Sequence, residues 1–506
     1  MKNTSQTLAF ATAAVLLAAC ANVGQNPGAK TAKGEKPASQ KVELFNRRDL
    51  TGLKPLGGTA PFVVSPAGTL VGTAVANTPN TFLATEGTYA NFVLEYDFKH
   101  DAALNSGVQF RSRAEVKEAA PAVDGKPAQK ASTRVHGYQC EIDASPRMWS
   151  AGLYEEGMRK WIFPGIGGGD AAAFTKQGQE ITKVGAWNHV KVEANGNRIR
   201  TWLNGAPRVD VRDDGFTDGF IAFQVHGIGK DVAHAGTKVE WRNITLTKIP
   251  DNTLSPSEKA DGWKLLFDGR TNKGWRSAKG PAFPQAGWSV EEGTLRTAKG
   301  DGKESANAGD IITVARFKEF EVSVDFRLTA GANSGLKYFV QPNLNQGAGS
   351  AFGLEFQMLD DALHPDAKLG RDGNRTVSSL YDLKTASKDK RPNPIGQWNN
   401  AYVIAKGTKV EHWLNGRLVV AYDRGTAEFR DLVAKSKYAD PKYGKNFGEW
   451  ADGHILLQEH GDEVWFKNIK LRDLTPKPAA KAMRTPAAKP ASEPAKKDAK
   501  PAAAKK

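Results

Sequence analysis

The sequence predicts two tandem all-β domains, each a jelly-roll sandwich. Three observations predict this fold: a set of sequence blocks that occurs twice in one order, apolar residues that alternate with polar ones, and an Asn-Gly dipeptide at the same place in each copy. The 506 residues are too many for one sandwich and suit two domains of roughly 200 residues. The 51 glycines also favour a turn-rich β protein.

The repeat defines the domains. Residues 92–98 and 105–107 return as residues 320–326 and 333–335, at a constant shift of 228. Five further pairs of blocks occur in the same order: 44–52 with 266–274, 187–188 with 398–399, 202–205 with 413–416, 224–227 with 458–461, and 242–244 with 467–469. Matched blocks in one order indicate a duplicated unit. We therefore place the domains at 41–248 and 261–474, with a linker at 249–260.

Strand patterns repeat within each copy. Val322, Val324 and Phe326 alternate with polar residues, as expected of a strand with one buried face. The dipeptides at 204–205 and 415–416 are typical of two-residue hairpins, whose centres need positive φ. One helix is predicted, with Thr426 as N-cap before residues 427–437. Many short strands with such turns are typical of a sandwich or jelly roll.

Four tryptophans lie in the repeated blocks. Their place in alternating strands predicts core packing rather than sugar stacking: Trp187, Trp202, Trp398 and Trp413.

The N-terminus resembles the signal of a bacterial lipoprotein. An apolar stretch at 8–19 is too short to span a bilayer of about 30 Å and ends in Leu17-Ala18-Ala19-Cys20, which is similar to a lipobox. We expect a signal peptide at 1–19, a lipid on Cys20 and a tether at 20–40. This resemblance implies a cell-envelope protein held by the lipid alone, at the outer membrane facing the periplasm. An ordinary cleavable signal that contains a cysteine is the alternative.

The net charge of +15 does not predict a nucleic-acid partner. Residues 475–506 carry nine Lys or Arg against two acidic residues, and this Pro/Ala/Lys tail is expected to be disordered. The folded part has an ordinary balance of charge, so no basic groove is indicated.

Motifs of the second copy resemble one known family. They are LFDG at 266–269, NSG at 333–335, EFQMLD at 355–360, GNRT at 373–376, SLYDL at 379–383, WN at 398–399, EHWLNG at 411–416, LLQEHG at 456–461 and FKNI at 466–469. In this order they resemble the 3-keto-disaccharide hydrolase domain, long catalogued as a domain of unknown function. The resemblance implies a concanavalin A-like jelly roll that acts on glycosides oxidised at C3, and hence an upstream glycoside 3-dehydrogenase. The first copy departs from the pattern, with Gln139 and Glu141 in exchanged order.

A 3-keto group acidifies the C2 proton, because the carbanion is an enolate. A base can remove this proton, the C1 substituent can leave, and later addition of water gives net hydrolysis. Catalytic candidates are Asp360, His364 and Glu355, from one strand and the acid-rich loop after it. The cofactor stays unknown; Asp360, Asp361 and His364 are the candidates if a divalent cation is required.

Further candidates are expected to contact the carbohydrate substrate. In the second copy they are Gln357, Arg375, Tyr381, Asn333, His412 and His460; in the first they are Glu141, Asp143, Tyr154 and Arg159. Two rival functions stay open. One is a non-catalytic carbohydrate-binding envelope protein, since a sandwich serves lectins equally well. The other is direct glycoside hydrolysis by paired carboxylates such as Glu141 and Asp143.

Overall fold

The computed structural model describes residues 40–119, 131–305 and 307–476. The predicted signal peptide, Cys20 and most of the tether and of the basic tail lie outside these residues. Within them, buried apolar side chains form one large cluster between residues 44 and 246 and another between residues 267 and 471. Each copy of the repeat therefore has its own hydrophobic core.

The first domain consists of two antiparallel sheets. Its strands are β1 Lys41–Val42, β2 Leu53–Gly57, β3 Phe62–Val64, β4 Leu70–Thr73, β5 Thr81–Thr85, β6 Phe92–His100, β7 Ser106–Lys117, β8 Ser132–Ile142, β9 Leu153–Glu156, β10 Lys160–Phe163, β11 Asn188–Asn195, β12 Arg198–Leu203, β13 Ala206–Arg212, β14 Phe220–Val225 and β15 Lys238–Lys248. Sheet A has the order β13-β12-β11-β6-β15-β4-β3, with β1 paired to β15. Sheet B has the order β10-β9-β8-β7-β14-β5-β2.

The second domain repeats this arrangement, except that its second sheet has five strands, without counterparts of β9 and β10 among the described residues. Its strands are β16 Trp263–Leu265, β17 Trp275–Ser277, β18 Trp288–Glu291, β19 Thr294–Thr297, β20 Ile311–Thr313, β21 Phe320–Leu328, β22 Asn333–Gln341, β23 Phe352–Leu359, β24 Asn399–Lys406, β25 Lys409–Leu414, β26 Arg417–Asp423, β27 His454–Leu457 and β28 Val464–Asp473. Sheet C has the order β18-β19-β28-β21-β24-β25-β26, with β16 paired to β28, and sheet D the order β17-β20-β27-β22-β23. Both domains are antiparallel β-sandwiches, as predicted.

Irregular details confirm the duplication. Arg111 in β7 and Phe339 in β22 are 228 residues apart, and both adopt positive φ, at 48° and 53°, within a register shift of their strand pairs. The predicted hairpins are also confirmed, since Asn204 and Asn415 adopt φ of 50° and 52° and are each followed by a positive-φ glycine. A bulge preserved at the same place in both copies has a structural role in the shared fold.

Helices are few. They are α1 Ala171–Ile181, α2 Pro256–Ala260 and α3 Ala427–Ala434, with 3-10 turns at Val232–His234, Pro342–Leu344, Pro365–Lys368, Lys437–Ala439 and Pro441–Tyr443. The N-cap of α3 is Thr426, as predicted, but the helix ends three residues earlier than expected. The backbone N–H of Lys437 donates instead to Asp382, which draws this segment toward sheet D. The sequence analysis missed α1, whose N-cap Asp170 precedes three alanines.

The linker joins the two domains through α2. Glu258 forms a capping box with Ser255, accepts a hydrogen bond of 2.9 Å from Asn195 and pairs with Lys470 of the second domain. Arg417 adds an ion pair of 2.9 Å to Asp214. In the part of the chain that the structure describes, no helix is both long and apolar enough to cross a membrane.

The prediction that the four repeated tryptophans pack in the core is not met, because all four are only half-buried. Lys191 lies 3.7 Å from the ring centre of Trp202, and Lys467 lies 4.4 Å from that of Trp398. Cationic side chains, not the core, cover part of these indoles.

Candidate functional site

The polar residues of sheet D lie on the face that turns away from the core. In β23, Leu354, Phe356 and Met358 join the core cluster, so Glu355 and Gln357 point to the opposite side. The register places Lys337 opposite Glu355, and Gly335 opposite Gln357. A Cβ on Gly335 would lie 2.3 Å from Oε1 of Glu355, so glycine leaves room for this carboxyl. We call this surface the polar face of sheet D.

A charge cluster, buried except for Glu304, occupies the middle of this face. Nζ of Lys337 lies 3.5 Å from Oε2 of Glu355 and 3.9 Å from Oε1 of Glu304, and it donates a 2.5 Å hydrogen bond to Ser350. The Ser350 hydroxyl in turn donates to Asp310. A cleft of about 320 Å³ opens beside Glu304 and Lys337. The cluster is therefore within reach of a ligand that enters this cleft.

The pKa values of the two glutamates that flank Lys337 are shifted in opposite directions. Burial raises the pKa of Glu355 to about 7, and the nearby charge of Lys337 only partly offsets it. Burial also acts to raise the pKa of Glu304, but the charges of Lys337 and Lys437 outweigh it and hold that pKa below its usual value. Near neutral pH the site thus holds one carboxyl able to donate a proton beside one carboxylate able to accept one.

Lys437 and Tyr381 border the same cluster. Nζ of Lys437 lies 4.3 Å from the ring centre of Tyr381, whose hydroxyl donates to Asp366 at 2.8 Å. Burial lowers the pKa of Lys437, against the opposing effect of Glu355. Arg375 pairs with Asp366 at 2.8 Å and also with Asp382. Its charge is compensated, so it positions Tyr381 through Asp366.

Several buried polar atoms of this face have no hydrogen-bond partner among the described residues. They are both amide atoms of Gln357, Oδ1 of Asn333, Oε1 of Gln458 and Nδ1 of His460. A buried polar group without a partner costs free energy, and such groups are rare in folded proteins. Several together on one face indicate a surface whose hydrogen bonds are completed from outside the protein, by water or by the polar groups of a ligand.

Two imidazoles lie at the Asn333 end of the face. The rings of His364 and His460 are 5.7 Å apart and nearly perpendicular, and Asp462 accepts a 2.9 Å hydrogen bond from the backbone of Asn333. One ligand atom from each of His364, His460 and Asp462 lies within 4.8 Å of the others, which is close enough to surround a cation.

Hydrogen bonding defines the tautomer of His364. Its Nδ1 accepts a 3.2 Å hydrogen bond from the backbone N–H of Asp366, so Nε2 carries the proton of the neutral ring. Burial lowers the pKa of His364, and the neighbouring His460 lowers it further. A metal-ligating histidine normally donates from its second nitrogen, whereas here that nitrogen accepts. The arrangement thus suits a neutral N–H donor, and ligation through Nε2 would require the other tautomer.

Asp360 and Asp361 do not have the roles expected from the sequence. Oδ2 of Asp360 accepts from Gly331 N, and its Oδ1 accepts from two amides of its own loop, at Ala362 and Leu363. Asp361 accepts from Val377 N and pairs with Lys390 at 2.6 Å. The predicted metal set of Asp360, Asp361 and His364 is therefore not assembled, because both carboxylates stabilise the loop instead.

His412 is not part of the polar face. It is 0% exposed, its Nδ1 donates to the Ser378 carbonyl at 3.0 Å, and its Nε2 accepts from the Tyr338 hydroxyl at 2.6 Å. Burial lowers its pKa to about 4. The structure corrects the expectation that His412 contacts substrate, since both ring nitrogens are used within the core.

The first domain has a different polar network at the matching positions. Gln109 and Gln139 take the places of Lys337 and Glu355 and hydrogen-bond to each other. Glu141 accepts 2.7 Å hydrogen bonds from Asn105 and from Gln139, and burial raises its pKa to about 7.

The remaining candidates of the first domain fall into two groups. Asp143 pairs with Arg147 at 2.9 Å beside Glu141, and Tyr154 lies opposite Gln139 in the register. Arg159 is placed elsewhere. It pairs with Asp213 at 2.7 Å and with Glu155, whose side chain alternates with that of Tyr154 along β9. The expectation that Arg159 holds substrate on this face is therefore corrected.

Sequence reasoning missed four residues that complete the site of the second domain: Glu304, Asp310, Lys337 and Lys437. A lone lysine within the apolar segment 336–340 was the available signal for Lys337. Glu304 lies in the loop between β19 and β20, which is longer than the matching loop of the first domain, so the repeat could not reveal it.

Comparison with known proteins agrees with the duplication. The family model of the 3-keto-alpha-glucoside-1,2-lyase-like domain matches residues 40–247 and 262–472. A 3-keto-disaccharide hydrolase of Bacteroides thetaiotaomicron is 34% identical over 232 residues, which cover 42% of this chain and 79% of that protein.

Solved structures were also matched. A candidate glycosyl hydrolase from Parabacteroides distasonis is 30% identical, covers 44% of this chain and 100% of its own, and has a TM-score of 0.37. The carbohydrate binding module CBM66 from Bacillus subtilis is 17% identical, covers 39% and 96%, and has a TM-score of 0.25. The two family-model matches together span most of the chain. The chain therefore belongs to the 3-keto-alpha-glucoside-1,2-lyase-like family, and it contains two copies of that domain.

Proposed function

We propose that the second domain cleaves 3-keto-glycosides or 3-keto-disaccharides by removal of the C2 proton. The observation that carries this proposal is the pair of glutamates around Lys337, one with a raised pKa and one with a lowered pKa, beside the unpartnered amides of sheet D. Environments that push two carboxyl pKa values apart assign an acid and a base. Membership in the family and the name of the Bacteroides relative support the substrate class.

In this proposal each group has one role. The carboxylate of Glu304 removes the C2 proton, and the electron pair moves toward the C3 oxygen to form an enolate. The N–H of His364 donates to that oxygen and stabilises its charge. As the enolate collapses, the C1–oxygen bond breaks, and Glu355 gives its proton to the departing oxygen. Addition of water to the resulting enone restores a 3-keto sugar.

His364 is not assigned as the base, because its hydrogen bonding leaves neither ring nitrogen free to accept a proton. Nδ1 already accepts from Asp366, and Nε2 carries the proton. Asp360 is also a poor base, because three backbone amides occupy its oxygens. Glu304 has a side chain that is 40% exposed and faces the cleft, and it is ionised at neutral pH.

Direct hydrolysis is less well supported. In that mechanism two carboxyl groups flank the scissile bond, with space between them for the sugar and a water or nucleophile. The carboxyl pair available for it, Glu141 and Asp143 of the first domain, is engaged by the protein itself: Glu141 accepts from Asn105 and Gln139, and Asp143 pairs with Arg147.

The test compares a 3-keto-gluco-disaccharide with its unoxidised parent in D₂O, followed by NMR. We expect cleavage of the keto compound alone, with deuterium at C2 of the product, because the C2 proton exchanges with solvent through the base. Cleavage of the parent at a similar rate, or a product without deuterium at C2, would contradict the mechanism. A Glu355→Gln variant provides the matched control for background decomposition.

We also propose that the chain is lipid-anchored in the cell envelope through Cys20, and that its substrate is supplied by a glycoside 3-dehydrogenase. The sequence 17–20 and the tether that follows support the anchor. The need for a C3-oxidised sugar supports the dehydrogenase.

A further inference from the structure

The polar network of the first domain is not a second copy of the proposed cleavage site. Gln109 and Gln139 replace the ion pair of Lys337 and Glu355, so the face has neither the central ammonium nor its flanking acid. Ile228 stands where the second domain has Asp462, four positions after the matched glutamine. The groups assigned to proton transfer therefore have no counterparts at the matched positions, and the remaining carboxyl of this network, Glu141, is hydrogen-bonded at both oxygens.

The amides of this network are also already satisfied. Gln109 donates to Gln139, Gln139 donates to Glu141, and Asn105 donates to the second oxygen of Glu141. Among the matched polar residues that the structure describes, Gln224 alone keeps a buried oxygen without a partner. The centre of this face is internally bonded, and ligand contacts must be sought at its edge.

Aromatic rings form that edge. The register aligns Gln139 of β8, Tyr154 of β9 and Trp161 of β10 in one row across sheet B, so their side chains share a face. Trp161 packs edge-on against Tyr154 at 5.2 Å and against Trp149 at 4.7 Å. All three rings are half-exposed. Residues 384–397, which follow the matched segment of the second domain, contain no aromatic residue, so this edge is specific to the first domain.

An arginine is held against these rings. The guanidinium of Arg147 lies 4.6 Å from the ring centre of Trp149 and 5.1 Å from that of Trp161, and its Nε donates to Asp143 at 2.9 Å. Its side chain is 40% exposed, and its two Nη groups have no partner within the described ranges. Asp143 is itself buried and accepts from Trp149 N, so the orientation of this guanidinium is built into the loop.

We propose that this edge binds a neutral pyranoside and does not cleave it, with Tyr154, Trp161 and Arg147 as the contacts. Half-exposed rings with a few fixed polar groups are typical of small-ligand sites. The apolar C–H face of a pyranose fits an aromatic ring, and the Nη groups of Arg147 can donate to ring hydroxyls. The carboxylates of Glu156 and Asp143 on the same surface disfavour an acidic sugar.

This inference goes beyond the proposed function, because it assigns a second, non-catalytic site to the chain. The structural argument depends on the first domain alone. The division of labour, with binding in one domain and cleavage in the other, rests on the proposed function of the second domain.

The test measures binding of maltose, cellobiose and trehalose to the full chain by isothermal titration calorimetry. The variants carry His364→Ala, to suppress turnover, and the wild type is titrated beside their His364→Ala parent. We expect at least one of these sugars to bind, and Trp161→Ala to weaken its affinity roughly tenfold or more. Arg147→Lys keeps the charge but removes the planar fork, and it should weaken binding without loss of the fold, as checked by thermal melting. A uronic acid analogue of the disaccharide that binds should bind more weakly.

Trp202→Ala is the matched control, because Trp202 is a half-buried tryptophan beside a lysine on sheet A. It should leave the affinity unchanged. Absence of binding by all three sugars, or equal affinity of Trp161→Ala and its parent, would overturn the inference. Loss of binding caused by His364→Ala itself would also overturn it, since the sugar would then occupy the second domain. Turnover of a 3-keto substrate by the wild type tests the proposed function separately.

Discussion

Lys337 and Glu355 face each other across β22 and β23 with 3.5 Å between ammonium and carboxylate, and the first domain replaces them with Gln109 and Gln139. One pair joins an ammonium to a carboxyl whose pKa is raised to about 7, and the other is a hydrogen-bonded pair of amides. Both fit the same sandwich, so the fold does not require the charges. The charged pair occurs instead in the second domain, where the same face also has unpartnered polar atoms available to a ligand.

Replacement of this pair should therefore abolish activity and preserve the fold. The double variant Lys337→Gln/Glu355→Gln reproduces the first domain, where the amide pair is compatible with the sheet. We expect cleavage of a 3-keto-disaccharide to fall by roughly 10²-fold or more, the usual scale for a positioned proton donor, with a melting temperature close to wild type. The control is Lys99→Gln/Glu240→Gln, which removes a 2.8 Å ion pair from sheet A. Equal loss of activity in both double variants would contradict a specific role for Glu355.

The pH dependence of cleavage should report the proton of Glu355. The pKa of this group is raised to about 7, so its carboxyl is protonated below that pH and loses the proton above it. If Glu355 is the proton donor, kcat should fall as pH rises through about 7. A pH–rate profile with a 3-keto substrate measures this decrease in kcat. A rate that rises through the same range would instead assign Glu355 as the base.

Stability should depend on pH through Glu141 and Glu355 together. Both have folded-state pKa values raised from 4.5 to about 7. Their contribution to the free energy of unfolding is fully present below pH 4.5 and is lost as pH rises through about 7. The free energy of unfolding should thus decrease from pH 5 to pH 8, by on the order of 3 kcal/mol for each carboxyl. Denaturant unfolding at the two pH values measures the change. Glu141→Gln/Glu355→Gln should remove most of it, whereas Glu240→Gln should not; a wild-type stability independent of pH would refute the assignment.

His364 and Asp360 should respond differently to substitution, although they lie in one loop. His364→Ala removes an N–H that stabilises the enolate, and kcat should fall by roughly 10²-fold with little change in melting temperature. Asp360→Asn weakens the hydrogen bonds to three backbone amides, so it should lower stability by about 1–3 kcal/mol and affect kcat less. Thermal melts and initial rates of both variants separate these effects. The reverse pattern would restore Asp360 as the base.

Cys20 should carry a diacylglyceryl group at the mature N-terminus. Mass spectrometry of protein extracted from membranes checks this, with Cys20→Ser as the unmodified control. A mature chain that begins at another residue would rule out the lipid anchor.

Part of the candidate site could be predicted from the sequence. Glu355 and Gln357 alternate along one strand, which is sufficient to place them on one face, and Asn333 follows from the repeated Asn-Ser-Gly block. Lys337 could not be assigned, because its importance comes from pairing with Glu355, 18 residues away. Glu304 approaches from a loop that is longer than its counterpart in the first copy.

Residue type alone was not sufficient to identify the residues of the site. His412 and Asp360 have side chains suited to acid–base chemistry, but one is bonded at both nitrogens in the core and the other caps backbone amides. Tyr154 and Arg159 lie five residues apart. Side chains alternate along β9, and Arg159 pairs with Asp213, so the two side chains lie on different sides of sheet B.

The sequence by itself determined the duplication, the all-β class, the hairpins and the family, because these depend on local alternation, on turn residues with positive φ and on motifs in order. Tertiary structure decided which polar atoms are free. A side chain acts on a ligand only if its donors and acceptors are not already satisfied, and that depends on strands and loops far apart in the chain. The two domains share nearly every motif, yet among the described residues the second leaves both amide atoms of Gln357 unpaired near an ammonium and two glutamates, whereas the network of the first is internally bonded apart from Oε1 of Gln224.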